Sequence, residues 1–264
     1  MPESSEARPN YGMKVRRLNL PIHALSQLPE NERTFLLMAG HMQNEFVALH
    51  KIFAWCVSPG VGATRIEHMV NGSQGFMVAK ILAGKLHEGW QLLNKAYFSS
   101  KLSLTLTPLL HEPTRLSLDG LKSYFSNSNL IYAVRNSFSF HYSAEEIARH
   151  WHEAASEPDF DLFIGGEYGN TFHQASETAV NMAILNQINR NDKAAALKTF
   201  LNDVQNATHL FNDFLDGVMV VILERCFRTS LSGLGVEEDV RPTLGIDDIK
   251  IPFFYVPPNA RSGT

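Results

Sequence analysis

Arg135, Asn136 and His141 lie within one short segment, residues 129–142, and their side chains suit chemistry on a phosphodiester. Arginine is always protonated, and its planar guanidinium donates N–H groups to phosphate oxygens. Histidine titrates near neutral pH and can act as a general base or a general acid. The pair predicts metal-independent RNA cleavage, in which the ribose 2′-hydroxyl attacks the adjacent phosphorus and Arg135 stabilises the added charge. Asn136 would bind a phosphate oxygen or orient Arg135.

The setting of these residues matters more than their spacing. A charge inside an apolar helical segment costs free energy unless it is paired or faces a wet cleft, and the residues before Arg135 are mostly apolar. Arg17 and His23 have the same separation but lack this context. The alternative interpretation is that Arg135 caps a helix end or pairs with an acid such as Glu45, while His141 is a core residue.

The segment RNSFSFH, residues 135–141, resembles the signature of the HEPN superfamily. The resemblance implies an α-helical bundle with Arg135, Asn136 and His141 as site residues. Many HEPN proteins are dimeric ribonucleases of toxin, phage-defence or RNA-processing systems, in which the arginine and histidine of two protomers share a cleft. Others are inactive binding or dimerisation modules. The resemblance therefore implies RNA as a partner, a homodimer and, for a toxin, an antitoxin protein, with no cofactor.

Helix geometry also favours a dimer. Six residues along a straight helix separate two side chains by about 120° in projection, so Arg135 and His141 would not share a face. Ser143 and Glu146 form a capping-box pattern, which predicts that a new helix begins directly after Tyr142. His141 is thus expected at a helix junction, where the chain turns it back or a second protomer completes the site.

Composition limits the other classes of function. The chain has 264 residues, 44% apolar and 19% charged, with a formal net charge of −4, so any contact with RNA must be local. Cys56 and Cys226 lie in apolar helical contexts and are predicted to be buried thiols in a reducing cytoplasm. The longest strongly apolar run, residues 218–223, is too short to cross a bilayer, so no membrane association is expected.

The predicted fold is all-α: a bundle of long helices over residues 29–228 with a small β-hairpin insertion. We predict a single domain, with a flexible arm at 1–12 and an extended C-terminal tail at 230–264. Apolar spacing of three and four residues predicts long helices from 29, 64 and 193. Residues 101–110 alternate like a short strand, and residues 159–172 are predicted to contain the hairpin. The apolar stretch 249–256 is expected to dock on the body or on a partner chain.

Other polar residues give weaker signals. The first long helix carries three polar residues, His41, Asn44 and Glu45, which are predicted to face the Arg135 cleft. The sequence contains no paired-ligand pattern typical of zinc or di-iron sites, so no metal is predicted. Basic residues surround the focal segment and predict either a local positive patch or a surface of paired charges. These residues are Arg115, Lys122, Arg135 and Arg149.

Overall fold

The structure, a computed structural model, describes residues 11–57, 60, 62–136, 144–154, 160–166, 169–243, 245 and 248–256. The first half contains β1 (Tyr11–Arg17), α1 (Ile22–Leu25), α2 (Glu30–Val57), α3 (Arg65–Leu92), α4 (Leu102–Leu106), α5 (Glu112–Phe125) and α6 (Leu130–Val134). The second half contains α7 (Ala144–Ala154), β2 (Phe163–Ile164), β3 (Thr171–Phe172), α8 (Gln174–Ile188), α9 (Lys193–Phe227) and β4 (Val236–Thr243). The predicted helical bundle with a small hairpin is confirmed.

The bundle is built on α2, α3 and α9, whose apolar faces meet in one core. Three- and four-residue spacing places aromatic side chains on these faces, and the largest of them are fully buried. Phe46 of α2 lies with its ring centroid 5.2 Å from that of Phe211 of α9. Tyr97 follows α3 in a π-helical turn, Leu93–Phe98, and its ring packs 5.2 Å from Phe214. The core therefore joins helices from both halves of the chain in one cluster.

Local capping sets where the long helices begin and end. Thr64 caps α3 in a capping box, because its hydroxyl accepts the backbone N–H of Glu67 and the Glu67 carboxylate accepts that of Thr64. The carboxylate of Asp192 caps α9 by accepting the Ala195 N–H at 2.8 Å. Arg228 ends α9 in the left-handed conformation, with φ of 55°. Within the described part of the chain, no helix is long and apolar enough to cross a membrane.

The strand predicted at residues 101–110 is wrong. The structure forms α4 there, followed by a 3₁₀ turn, Thr107–Leu109. Leu102 and Leu106 are both buried at a four-residue spacing, whereas Leu104 between them is 71% exposed. Alternating leucines fit a strand locally, but the bundle buries only the pair that shares a helix face.

The hairpin and the docked tail were predicted, while the pairing of the chain ends was not. β2 pairs antiparallel with β3, as expected for residues 159–172. The tail docks on this hairpin, because the Asn170 amide accepts the Tyr255 N–H at 3.0 Å and donates to its carbonyl at 2.6 Å. β1 pairs antiparallel with β4. The strand thus begins at Tyr11, inside the predicted flexible arm, and part of the predicted tail forms a sheet; residues 1–10 and 257–264 lie outside the described residues.

Gly89→Ala is expected to destabilise the fold by about 1–3 kcal/mol. A Cβ at this position would meet Met42 Sδ and Phe46 Cζ at 2.8 Å each, and both lie in the packed core. Gly72→Ala is the matched control on the same helix, since nothing lies within 4 Å of its Cβ position and alanine favours helix. Urea unfolding measures both variants. Equal stabilisation by the two substitutions would contradict this view of the α2–α3 contact.

Candidate functional site

Arg135 sits where the short helix α6 leaves the core. Asn129 caps α6 by accepting the Tyr132 N–H at 2.8 Å. Ile131 and Val134 are buried, and α6 packs mainly against α3. The helical path continues through Arg135 and Asn136. The side chain of Arg135 is 29% exposed, so it bridges the buried interface and the surface.

The guanidinium of Arg135 is held by two side chains. One terminal nitrogen donates to Asn136 Oδ1 at 2.8 Å, and the other donates to Glu88 Oε1 at 2.9 Å. A guanidinium carries more N–H donors than these two bonds use. The Nε atom is buried and has no hydrogen-bond partner among the described residues. Asn136 therefore contacts Arg135 directly, which is the contact that its predicted orienting role requires.

The acid beside Arg135 is Glu88, not Glu45. Glu45 instead accepts a bond from Lys85 at 2.6 Å. His41 is exposed, and its ring lies 4.0 Å from Glu45. His41, Glu45, Lys85 and Glu88 line one depression of about 180 Å³ between α2 and α3. Arg135 and Asn44 do not line this depression, and the residue that both lines it and contacts Arg135 is Glu88 of α3.

His87 is a buried polar residue beside Arg135 that the sequence did not single out. Its ring centroid lies 5.3 Å from that of Tyr132 on α6. Its Nε2 lies 3.4 Å from the amide nitrogen of Gln91. Nδ1 is buried without a partner among the described residues. Arg135 Nε and His87 Nδ1 are thus two buried nitrogen atoms without a partner among the described residues, and Arg135 Nε is an N–H donor that lacks an acceptor there.

Burial lowers the pKa of His87, and the positive charge of Arg135 lowers it further. The negative charge of Glu88 acts in the opposite direction but is the smallest of the three effects. His87 is therefore neutral at neutral pH, where it is a hydrogen-bond donor with no charge of its own. The positive charge of this cluster belongs to Arg135.

Part of the predicted site falls outside the described residues. His141 and Ser143 belong to the segment 137–143, which is not described, so the convergence of His141 with Arg135 stays a prediction. The helix expected after Tyr142 is present as α7, beginning at Ala144. Three of the four residues of the predicted basic patch are paired with acids. Besides Arg135 with Glu88, these are Arg149 with Glu146 at 2.6 Å and Lys122 with Asp119 at 3.1 Å.

His87 does carry a signal in the sequence. It stands four residues after Ala83 and three before Trp90, both buried, so it falls on the apolar face of α3. A histidine at a core position of a helical pattern must find partners or remain neutral. Glu88 gives no comparable signal, because its role depends on contact with a residue 47 positions away.

Comparison of the chain with protein-family models, with curated proteins and with solved structures finds no match. Among the residues that the structure describes, no group of three or more His, Cys, Asp or Glu side chains is placed to hold a metal ion.

His87→Gln is expected to reduce the loss of stability on acidification. Because the folded-state pKa of His87 lies below the ordinary 6.5, the unfolded chain takes up this proton more readily. Folding stability is therefore lost as pH falls through about 6.5 towards the folded-state pKa. Urea unfolding at neutral pH and at a pH about one unit below 6.5 measures the difference. The exposed His23→Gln variant serves as control, and a loss identical in wild type and His87→Gln would contradict the assignment.

Proposed function

We propose that this chain is a HEPN-type endoribonuclease that cleaves RNA without a metal ion, acting as a cytoplasmic homodimer. Arg135, Asn136 and His141 are its site residues. The observation that supports the proposal best is the guanidinium of Arg135, which is held by Asn136 and Glu88 and keeps one N–H donor, Nε, without an acceptor among the described residues. A phosphate group supplies oxygen acceptors for donors of this kind.

The contacts of Arg135 suit the electrostatic part of such a reaction. Asn136 and Glu88 fix the guanidinium before substrate arrives, so little reorganisation is needed as charge develops at phosphorus. Glu88 is about half exposed, and a partly exposed ion pair contributes only about 0–1 kcal/mol. A phosphate can therefore share Arg135 with Glu88 or displace it. Glu88 is a positioning residue in this proposal.

His141 carries the proton transfers. As a general base it removes the proton of the ribose 2′-hydroxyl, and the resulting oxygen attacks the adjacent phosphorus. The bond from phosphorus to the 5′-oxygen then breaks, and a general acid protonates that oxygen. The products are a 2′,3′-cyclic phosphate and a 5′-hydroxyl. A dimer supplies one histidine for each role, which is the chemical reason for a shared cleft.

A short end-labelled RNA tests this mechanism. Wild-type protein in EDTA is expected to produce fragments that end in a 2′,3′-cyclic phosphate. The same RNA with a 2′-deoxy nucleotide at the cleavage site should resist cleavage, because the nucleophile is missing. Equal cleavage of the deoxy-substituted RNA would overturn 2′-hydroxyl attack.

A second function is favoured by the Arg135–Glu88 ion pair itself. An arginine already neutralised by a carboxylate 2.9 Å away is also typical of a structural contact in a non-catalytic binding or dimerisation module. The toxin or defence role and an antitoxin partner belong to the first proposal alone. A chain that cleaves no RNA but forms a stable oligomer or heterocomplex would support the module.

A further inference from the structure

A second concave site lies between α2, α3, α8 and α9, away from Arg135. Two adjacent cavities of about 650 Å³ and 370 Å³ share four lining residues. These residues are Phe53, Val57, Leu197 and Leu201. The two cavities lie side by side along these four residues, and we refer to them together as the groove. Neither cavity is lined by a residue of the Arg135 cluster.

The floor of this groove is apolar. Phe76, Ala79 and Leu82 of α3 form part of it and are buried in the core. Val57 and Leu197 are large apolar residues that line the groove and remain 39% and 37% exposed. A concave apolar surface of this size is typical of a ligand site, and each cavity volume lies in the range of about 300–1,000 Å³ found for such sites.

One mouth of the groove carries polar side chains without partners. His50 of α2 and Lys198, Asn202 and Gln205 of α9 line the larger cavity. Among the described residues, none of the four makes a hydrogen bond or an ion pair. The chain has 27 acidic residues, yet neither cavity has an Asp or Glu among its described lining residues. The charge of the groove is therefore positive and is concentrated at Lys198.

We propose that this groove binds a single-chain anionic amphiphile of the fatty-acid type. The carboxylate pairs with Lys198 and accepts hydrogen bonds from the neighbouring amides. The acyl chain runs along the four shared residues towards the smaller cavity. A second copy of this chain fits the groove less well, because a two-fold contact through the same surface would bring the Lys198 side chains of both copies together.

Isothermal titration calorimetry with laurate, kept below its micelle concentration, tests the proposal. Wild type is expected to bind one laurate per chain. Lys198→Ala should weaken binding about tenfold, since it removes a charge-assisted contact. Lys51→Ala, an exposed lysine of α2 that does not line the groove, should leave the affinity unchanged. Ala54→Phe, which fills the larger cavity, should abolish binding while circular dichroism shows an unchanged helical content.

Three results would overturn the proposal. The first is no binding of laurate by the wild type, and the second is equal weakening by Lys198→Ala and Lys51→Ala. The third is a dimer in sedimentation analysis that Leu197→Asp converts to a monomer, since the groove would then be covered by a second chain. Lys198 is exposed, so its variant folds and the comparison stands even if Ala54→Phe does not fold.

Discussion

Arg135→Ala is expected to lower the rate of RNA cleavage by about 10²–10³-fold while the helical fold persists. The substitution removes the guanidinium that stabilises charge developing at phosphorus. The fold tolerates the loss because Glu88 is about half exposed and regains water as its partner. Single-turnover cleavage of a labelled RNA measures the effect, with circular dichroism and urea unfolding as checks on folding.

Two further substitutions sharpen this test. Arg135→Lys keeps the positive charge but loses the planar fork that contacts Asn136 and Glu88 together, so its rate should fall between wild type and Arg135→Ala. Arg17→Ala is the matched control, since Arg17 is also paired with a glutamate but lies on the exposed strand β1. Full activity in Arg135→Ala would show that Arg135 takes no part in the reaction.

Glu177→Gln is expected to destabilise the fold by about 3–5 kcal/mol. Lys80 is buried between α3 and α8, and its ammonium lies 3.4 Å from both Glu177 and Asn181. The substitution removes the negative charge that lies 3.4 Å from this buried ammonium, and breaking a buried ion pair at one partner is strongly destabilising. Burial lowers the pKa of Lys80, so the unfolded chain holds this proton more strongly than the folded chain does. The free energy of unfolding of Glu177→Gln should therefore rise as pH increases from the folded-state pKa of Lys80 towards about 10.5. This rise should be larger than in wild type.

Urea unfolding across neutral and alkaline pH measures the Lys80 contribution. Replacing both partners, as Lys80→Met with Glu177→Leu, should restore most of the lost stability, because apolar side chains then replace this ion pair. Glu237→Gln is the matched control in the exposed Lys14–Glu237 pair and should change stability by less than about 1 kcal/mol. An equally small loss of stability in Glu177→Gln would contradict the stabilisation assigned to the buried Lys80–Glu177 pair.

The long helices were predictable because their signal is local. The apolar spacing of α2, α3 and α9 repeats every three to four residues, and the caps Thr64 and Asp192 mark the starts of α3 and α9. The hairpin of β2 and β3 was predictable for the same reason, since glycines separate two short apolar runs. The short α4 was not, because alternating leucines satisfy a strand pattern and a helix face at once.

Contacts between distant residues could not be predicted from periodicity. The pairing of β1 with β4 joins Arg17 to Val236, and no local pattern encodes that register. The partner of Arg135 could not be predicted either, because it depends on tertiary packing. The sequence suggested Glu45, whereas the packing of α6 on α3 brings Glu88 to Arg135. Arg135 could be singled out from the sequence because a charge in an apolar segment is visible there, and its role as a site residue stays a prediction.

Cleavage of total RNA in EDTA by wild type, His141→Ala and His23→Ala tests the central claim most directly. His23 has the same spacing from Arg17 as His141 has from Arg135, so it controls for the loss of a histidine elsewhere in the chain. The proposed mechanism predicts cleavage by wild type and His23→Ala, and a loss of about 10²–10⁴-fold in His141→Ala. Undiminished cleavage by purified His141→Ala protein would contradict it.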